Sequence, residues 1–249
     1  MGVIKILRYI LFAALMCLAI FSSYIDTKYR FEKTHNIEQV IIASKDKDAI
    51  EKSIQSAVRI ISTAEHNDGQ AYTSTSSGTY FEHNEKKYII TSAHSLIGEC
   101  HATAVMADDY IFHCHELSFI DAERDIAIME IEEITNRNPI KISDILWSDK
   151  DAKMHTGVHQ KTYYTGYPQA MGPFTFDGKI VSHSLENGMF FMNSYAWAGS
   201  SGSGVFNSEG ELIGIITAVS LANTEHGIDV MEDLVIVTSI TLSDLQNIL

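Results

Sequence analysis

Short apolar runs broken by turn residues constrain the fold of this chain more than any other feature. Ala57-Val58-Arg59-Ile60-Ile61, Gly78-Thr79-Tyr80-Phe81, Lys87-Tyr88-Ile89-Ile90-Thr91 and Asp125 to Ile131 are rich in β-branched and aromatic residues. Turn residues separate them, as in His66-Asn67-Asp68-Gly69 and His83-Asn84-Glu85. Such side chains suit a pleated surface, and turns at short intervals join strands into antiparallel hairpins. The pattern continues through Thr162–Thr165, Gly178–Ser182, Met189–Met192, Val205-Phe206, Glu211–Val219 and Leu234–Thr238. A parallel α/β sheet would need helices of about 10–15 residues between strands. The expectation is one all-β domain over 53–249, a barrel or a pair of barrels, with 45% hydrophobic residues to fill its core. Ser44–Lys52 opens on a cap-like serine and predicts a short helix, and Thr241–Leu249 predicts a short C-terminal one.

The flanks carry a second message. Lys5 and Arg8 precede Tyr9–Ile25, which holds no charge. As a helix that run would span about 26 Å, slightly short of a ~30 Å hydrocarbon core. Residues 1–25 therefore read as a signal anchor or a signal peptide. Ser22 and Ser23 follow Ile20 and Phe21, a poor cleavage site, which favours the anchor. Residues 26–52 read as a stalk or linker. Basic residues before the run favour a cytoplasmic N-terminus, although Lys28, Arg30 and Lys33 on the other side oppose it. The expected location is a single-pass membrane protein with its folded domain outside the cytoplasm, or alternatively a secreted or periplasmic protein after cleavage. The formal charge of −14 argues against nucleic acid as a partner, because phosphate binding needs clustered Lys and Arg.

Ala198-Gly199-Ser200-Ser201-Gly202-Ser203-Gly204, followed by Val205-Phe206, is the stretch that suggests chemistry. Glycines permit a tight turn that aims several N–H groups at one point, where a serine can be a nucleophile. A flexible turn is the plain reading of such a run taken alone. A serine needs a base and an orienting group. Thr91-Ser92-Ala93-His94 places a histidine where an apolar strand meets a polar loop, and Asp125 stands at the head of a strand expected to be buried. The order His94…Asp125…Ser201 is one known order for a triad, and differs from the Ser…Asp…His of α/β-hydrolases.

Taken together these stretches resemble the trypsin/chymotrypsin-like serine protease family, in its bacterial form. Thr91-Ser92-Ala93-His94 resembles T-A-A-H, Asp125-Ile126-Ala127-Ile128 resembles D-[IL]-A-L, and Gly199 to Gly204 resembles G-N-S-G-S-P of the glutamyl endopeptidases. Gly166-Tyr167-Pro168, Gly178 to Ser182 and Asn207 to Ile215 are similar to further stretches of bacterial members. The match runs from about Ala57 to Val219. It implies two six-stranded antiparallel β-barrels with the active site between them. It implies an endopeptidase for protein or peptide substrates, with His94 as general base, Asp125 as its orienter and Ser201 as nucleophile. The N–H groups of Gly199 and Ser201 would form the oxyanion hole, and no metal or other cofactor is implied. The other reading is a catalytically inactive protease-like domain that binds a partner; three filled triad positions argue against it. The 30 residues beyond Val219 are expected to leave no room for a PDZ domain, unlike full-length high-temperature-requirement proteases.

Three departures bear on function. Ser200 replaces the aspartate that pairs with a newly cut N-terminus in digestive proteases, so activation by cleavage is not expected. Gly204 replaces proline, with no reason visible in the sequence. Tyr195 stands where trypsin-like enzymes place a carboxylate, and Ile216 where glutamyl endopeptidases place a histidine. An apolar or small specificity pocket lined by Tyr195, Ile216, Thr217 and Ala218 follows. Cys100 and Cys114 flank two short strands turning at Ala107-Asp108-Asp109, and three readings stay open: a disulfide, two unpaired cysteines, or zinc with His101, His113 and His115. Adjacent strand residues point to opposite faces, which disfavours zinc.

Overall fold

Among the described residues the apolar runs at 88–91, 126–129, 162–165, 205–206 and 212–216 become strands buried on both faces, whereas those at 178–182 and 189–192 are covered on one face only. The computed structural model describes residues 46–65, 69–145, 157–184, 188–224, 227–241 and 244. The expected membrane segment, the stalk and most of the expected C-terminal helix lie outside them. No helix among the described residues is long and apolar enough to cross a membrane.

Helix α1 (Lys47–Ser56) leads into β1 (Ala57–Glu65), β2 (Ala71–His83), β3 (Lys86–Thr91), β4 (Thr103–Ala107), β5 (Tyr110–Asp121) and β6 (Ile126–Ile131). These six close into an antiparallel barrel in the order β1-β4-β5-β6-β3-β2, with β2 returning to β1. The short β7 (Ile140–Lys141) adds in parallel to β2. A second closed barrel, β10-β13-β12-β11-β8-β9, is built from β8 (Lys161–Gly166), β9 (Phe174–Ser184), β10 (Met189–Asn193), β11 (Gly204–Asn207), β12 (Leu212–Thr224) and β13 (Gly227–Ser239).

Three apolar clusters explain why the runs lack simple alternation. Ile89 and Met129 point into the first barrel, and Tyr164, Val205 and Ile213 into the second. Their neighbours Ile90, Ile128, Phe206 and Leu212 point the other way, into a third cluster joining the two barrels. A strand covered on both faces reads as a continuous apolar run.

One expectation shifts, and one of three open readings is selected. The boundary at Ser53 falls inside α1, which packs on the second barrel. Ser53 hydrogen-bonds Thr165 at 2.8 Å, the Lys52 ammonium donates to the Gly210 carbonyl at 3.2 Å, and Asp46 takes the Tyr163 hydroxyl. Burial of Ala49 and Ile54 makes the helix part of the folded body rather than a linker. Cys100 and Cys114 are joined in a disulfide with Cα atoms 5.3 Å apart. The hairpin turns between Ala107 and Tyr110, so Thr103 is nearly opposite Cys114, and a 3₁₀ turn over Cys100–Ala102 folds Cys100 back to reach it. With both sulfurs bonded to each other, neither is a thiolate ligand for zinc.

Candidate active site

Strand register brings His94 and Asp125 together. β3 and β6 run antiparallel with Thr91 opposite Ala127, so the residues just after β3 leave the sheet beside those just before β6. His94 sits in the 3₁₀ turn Ala93–Ser95 and Asp125 at the mouth of β6. The Asp125 carboxylate accepts the His94 backbone N–H at 2.8 Å and contacts Nδ1 at 2.6 Å, while its carbonyl accepts the Ala93 N–H at 3.2 Å. A carboxylate acceptor makes Nδ1 the protonated nitrogen and leaves Nε2 as the basic one. The hydrogen bond to Asp125 raises the His94 pKa above the ordinary histidine value, against partial burial, which lowers it.

Ser201 arrives from the second barrel, on the turn that leads into β11. The four carbonyls from Ala198 to Ser201 are each held by a hydrogen bond. Ala198 O accepts from Gln169 N at 2.6 Å, Gly199 O from the Ser77 hydroxyl at 2.7 Å, Ser200 O from Ser203 N at 3.1 Å and Ser201 O from Ser77 N at 2.9 Å. Ser200 N donates to Trp197 O at 2.9 Å and Gly202 N to Ile216 O at 2.7 Å. The N–H groups of Gly199 and Ser201 find no acceptor among the described residues. In a planar trans peptide the N–H points opposite the C=O, so fixing Ala198 O and Ser200 O fixes where these two donors point.

The turn needs its glycines. Gly202 has φ +85, and a Cβ there would lie 2.1 Å from Ser77 O and 2.2 Å from Thr91 Oγ1. Gly204, unexplained by sequence, sits against the first barrel: a Cβ would meet Thr79 Oγ1 at 2.4 Å and Leu212 Cδ1 at 2.7 Å. Ser200 is buried, with its hydroxyl against the Tyr164 phenol, in place of a carboxylate awaiting a charged partner.

His94 and Ser201 line one cavity of about 520 Å³. Ile216, Thr217 and Ala218 line it, as the sequence suggested, and so do Ala196, Trp197, Val219 and Val230, which it did not single out. Tyr195 is not brought to the cavity. It is 59% exposed and stacks on Trp197 at 6.0 Å, while its carbonyl takes the Tyr164 hydroxyl. Its neighbour Ala196 turns inward instead. Of the described side chains lining the cavity, His94 alone is titratable. Ser77 and Gln169 were also missed: Ser77 lies among other hydroxyl residues of β2, 122 positions before Gly199, with no motif to mark it.

No curated protein matches the sequence. Among solved structures, the fold is similar to the serine endoprotease from Yersinia pestis, at 19% identity and a TM-score of 0.57 over 80% of this chain. The chain spans 64% of the length of that protein. The family model of the trypsin-like peptidase domain matches residues 76–215, from the strand that carries Ser77 to the strand behind Ser201. That match covers more than half of the chain, which therefore belongs to the trypsin-like peptidase family.

Proposed function

We propose that the chain is an endopeptidase in which Ser201 is the nucleophile, His94 the general base and then acid, and Asp125 the group that orients it. The observation that carries this reading is the hydrogen bond of Asp125 with His94, which lines one cavity with Ser201, beside two N–H groups that find no acceptor among the described residues. Ser201 Oγ attacks the scissile carbonyl carbon as His94 Nε2 takes its proton. The developing oxyanion receives the Gly199 and Ser201 N–H groups. The intermediate collapses as His94 protonates the departing amine, and water then hydrolyses the Ser201 ester by the same proton path. Asp125 keeps Nδ1 protonated and stabilises the imidazolium while it lasts.

A cavity walled by Ala196, Ile216, Ala218 and Val219, with no carboxylate or ammonium among its described side chains, suits a small or apolar residue before the cut. A buried charge without a partner costs several kcal/mol, so Lys, Arg, Asp and Glu are disfavoured there. Residues 1–25 anchor the protein and the protease domain acts outside the cytoplasm. The Cys100–Cys114 disulfide supports that placement, since such bonds persist in oxidising compartments.

Fluorophosphonate labelling tests the nucleophile. Wild type takes the label and Ser201→Ala does not; label on Ser201→Ala would place the nucleophile elsewhere. Cleavage of a mixed peptide library tests the pocket. Ala, Val or Leu should dominate before the cut, and a preference for charged residues there would overturn this assignment.

A further inference from the structure

Ser77, on the first barrel, spends every polar group it has on the turn that carries Ser201 and on the elements that flank it. Its N–H donates to the Ser201 carbonyl at 2.9 Å. Its hydroxyl donates to the Gly199 carbonyl at 2.7 Å and accepts the Tyr167 N–H at 2.9 Å. Its carbonyl accepts the Thr91 hydroxyl at 2.7 Å, three residues before His94. Ser77 is wholly buried, so water cannot replace any of these partners. The Tyr167 N–H that it holds begins the turn whose Gln169 N–H fixes Ala198 O, and that turn is pinned again where Arg59 donates to the Ala170 carbonyl at 3.0 Å.

We propose that the Ser77 hydroxyl is a positioning residue for the oxyanion donors, aligning the Gly199 N–H through the Tyr167 turn that fixes Ala198 O, and holding through Gly199 O the Gly199–Ser200 peptide that links the two donors. This rests on the triad and oxyanion reading above. Both bonds of the hydroxyl matter. Without it, the Gly199–Ser200 peptide loses the donor that sets its plane, and the Tyr167 turn that orients the Ala198–Gly199 peptide loses its acceptor. The hydroxyl itself reaches neither substrate nor reacting atoms. Its loss therefore weakens transition-state binding while leaving ground-state binding in place, because the cavity walls are formed by other residues.

The experiment uses the full chain as wild type, Ser77→Ala and Ser77→Cys, the last keeping the volume with a weaker donor. Expected for Ser77→Ala is a drop in kcat of about 10- to 100-fold, the range for misplaced catalytic donors, with KM within about twofold. Affinity for a peptide aldehyde, which forms a tetrahedral adduct on Ser201, falls in parallel. Peptide affinity measured in the Ser201→Ala background is the same with and without Ser77→Ala. Ser77→Cys falls between wild type and Ser77→Ala, and supplies the comparison if the alanine variant does not fold. An active wild type with unchanged kcat in Ser77→Ala, or in Ser77→Cys where that stands in, overturns the role of Ser77 alone, as does a loss confined to KM. A wild type that neither labels at Ser201 nor cleaves peptides overturns the triad reading and this one with it.

Discussion

The hydrogen bond from Asp125 to His94 Nδ1 holds the histidine pKa above its ordinary value, with partial burial working against it. In the proposed mechanism the ring must be neutral to accept the Ser201 proton, so kcat/KM falls as pH drops through that raised pKa. Stability has the opposite sign. A histidine whose folded pKa exceeds its unfolded value of about 6.5 contributes stability that is fully present below the unfolded value. That contribution is lost as pH rises through the folded pKa. The pair is therefore at its most stabilising where the enzyme is least active. The His94 side chain is 52% exposed, which keeps the stability part small. Asp125→Asn separates the two effects. It removes the carboxylate that raises the pKa and favours the wrong tautomer, so the acidic limb of the kcat/KM profile moves to lower pH and the plateau falls by about 10⁴-fold. A limb that stays in place in the variant would mean that Asp125 does not set the histidine pKa.

At the scale of elements, what the sequence made legible was decided by how local the cause is. Strands such as Lys86–Thr91 and Ile126–Ile131 were legible because burial on both faces leaves an apolar run that turn residues must end. His94 and Asp125 were legible because each stands at the end of such a run. The register that makes them neighbours, Thr91 opposite Ala127, is a property of the closed sheet and has no mark in either strand. The same holds for α1: residues 26–52 read as a stalk or linker with a short helix at its end, and only the burial of Ile54 and the bond of Ser53 to Thr165 show that helix to be part of the body. Tyr195 was placed in the pocket by its distance from Ser201 along the chain. The backbone there is pinned through its carbonyl, Ala196 enters the core, and the tyrosine ring turns outward. Gly204 shows the reverse case, a departure from the family pattern that makes sense once Thr79 and Leu212 are seen packed against it.

For the whole molecule, the proposed triad is split between two barrels, and its alignment depends on ties across them. Besides Ser77, a charged tie is made by Arg124, next to Asp125. Its guanidinium pairs with the Asp244 carboxylate and donates to Ser239 O at 2.5 Å and Thr241 Oγ1 at 3.3 Å, all at or beyond the end of β13. The Arg124 and Asp244 side chains are only 12% and 2% exposed. On its own side of the tie, Asp121 accepts the Glu123 and Arg124 N–H groups at 3.0 Å, so the turn entering β6 is rigid and a pull on Arg124 reaches Asp125. Removing one partner of a buried pair strands the other charge, whereas replacing both by apolar groups is close to neutral. Arg124→Met should therefore lose about 3–5 kcal/mol in urea unfolding, and Arg124→Met with Asp244→Leu should recover much of it. Activity should not recover with stability, because the double variant restores packing without restoring the tie beside Asp125, and kcat/KM should stay below wild type in both. Single-variant losses of no more than about 1 kcal/mol would instead mark the pair as an ordinary surface bridge. A double variant that regains full kcat/KM would show that the interface cluster around Ile90, Ile128 and Ile215 aligns the barrels without it.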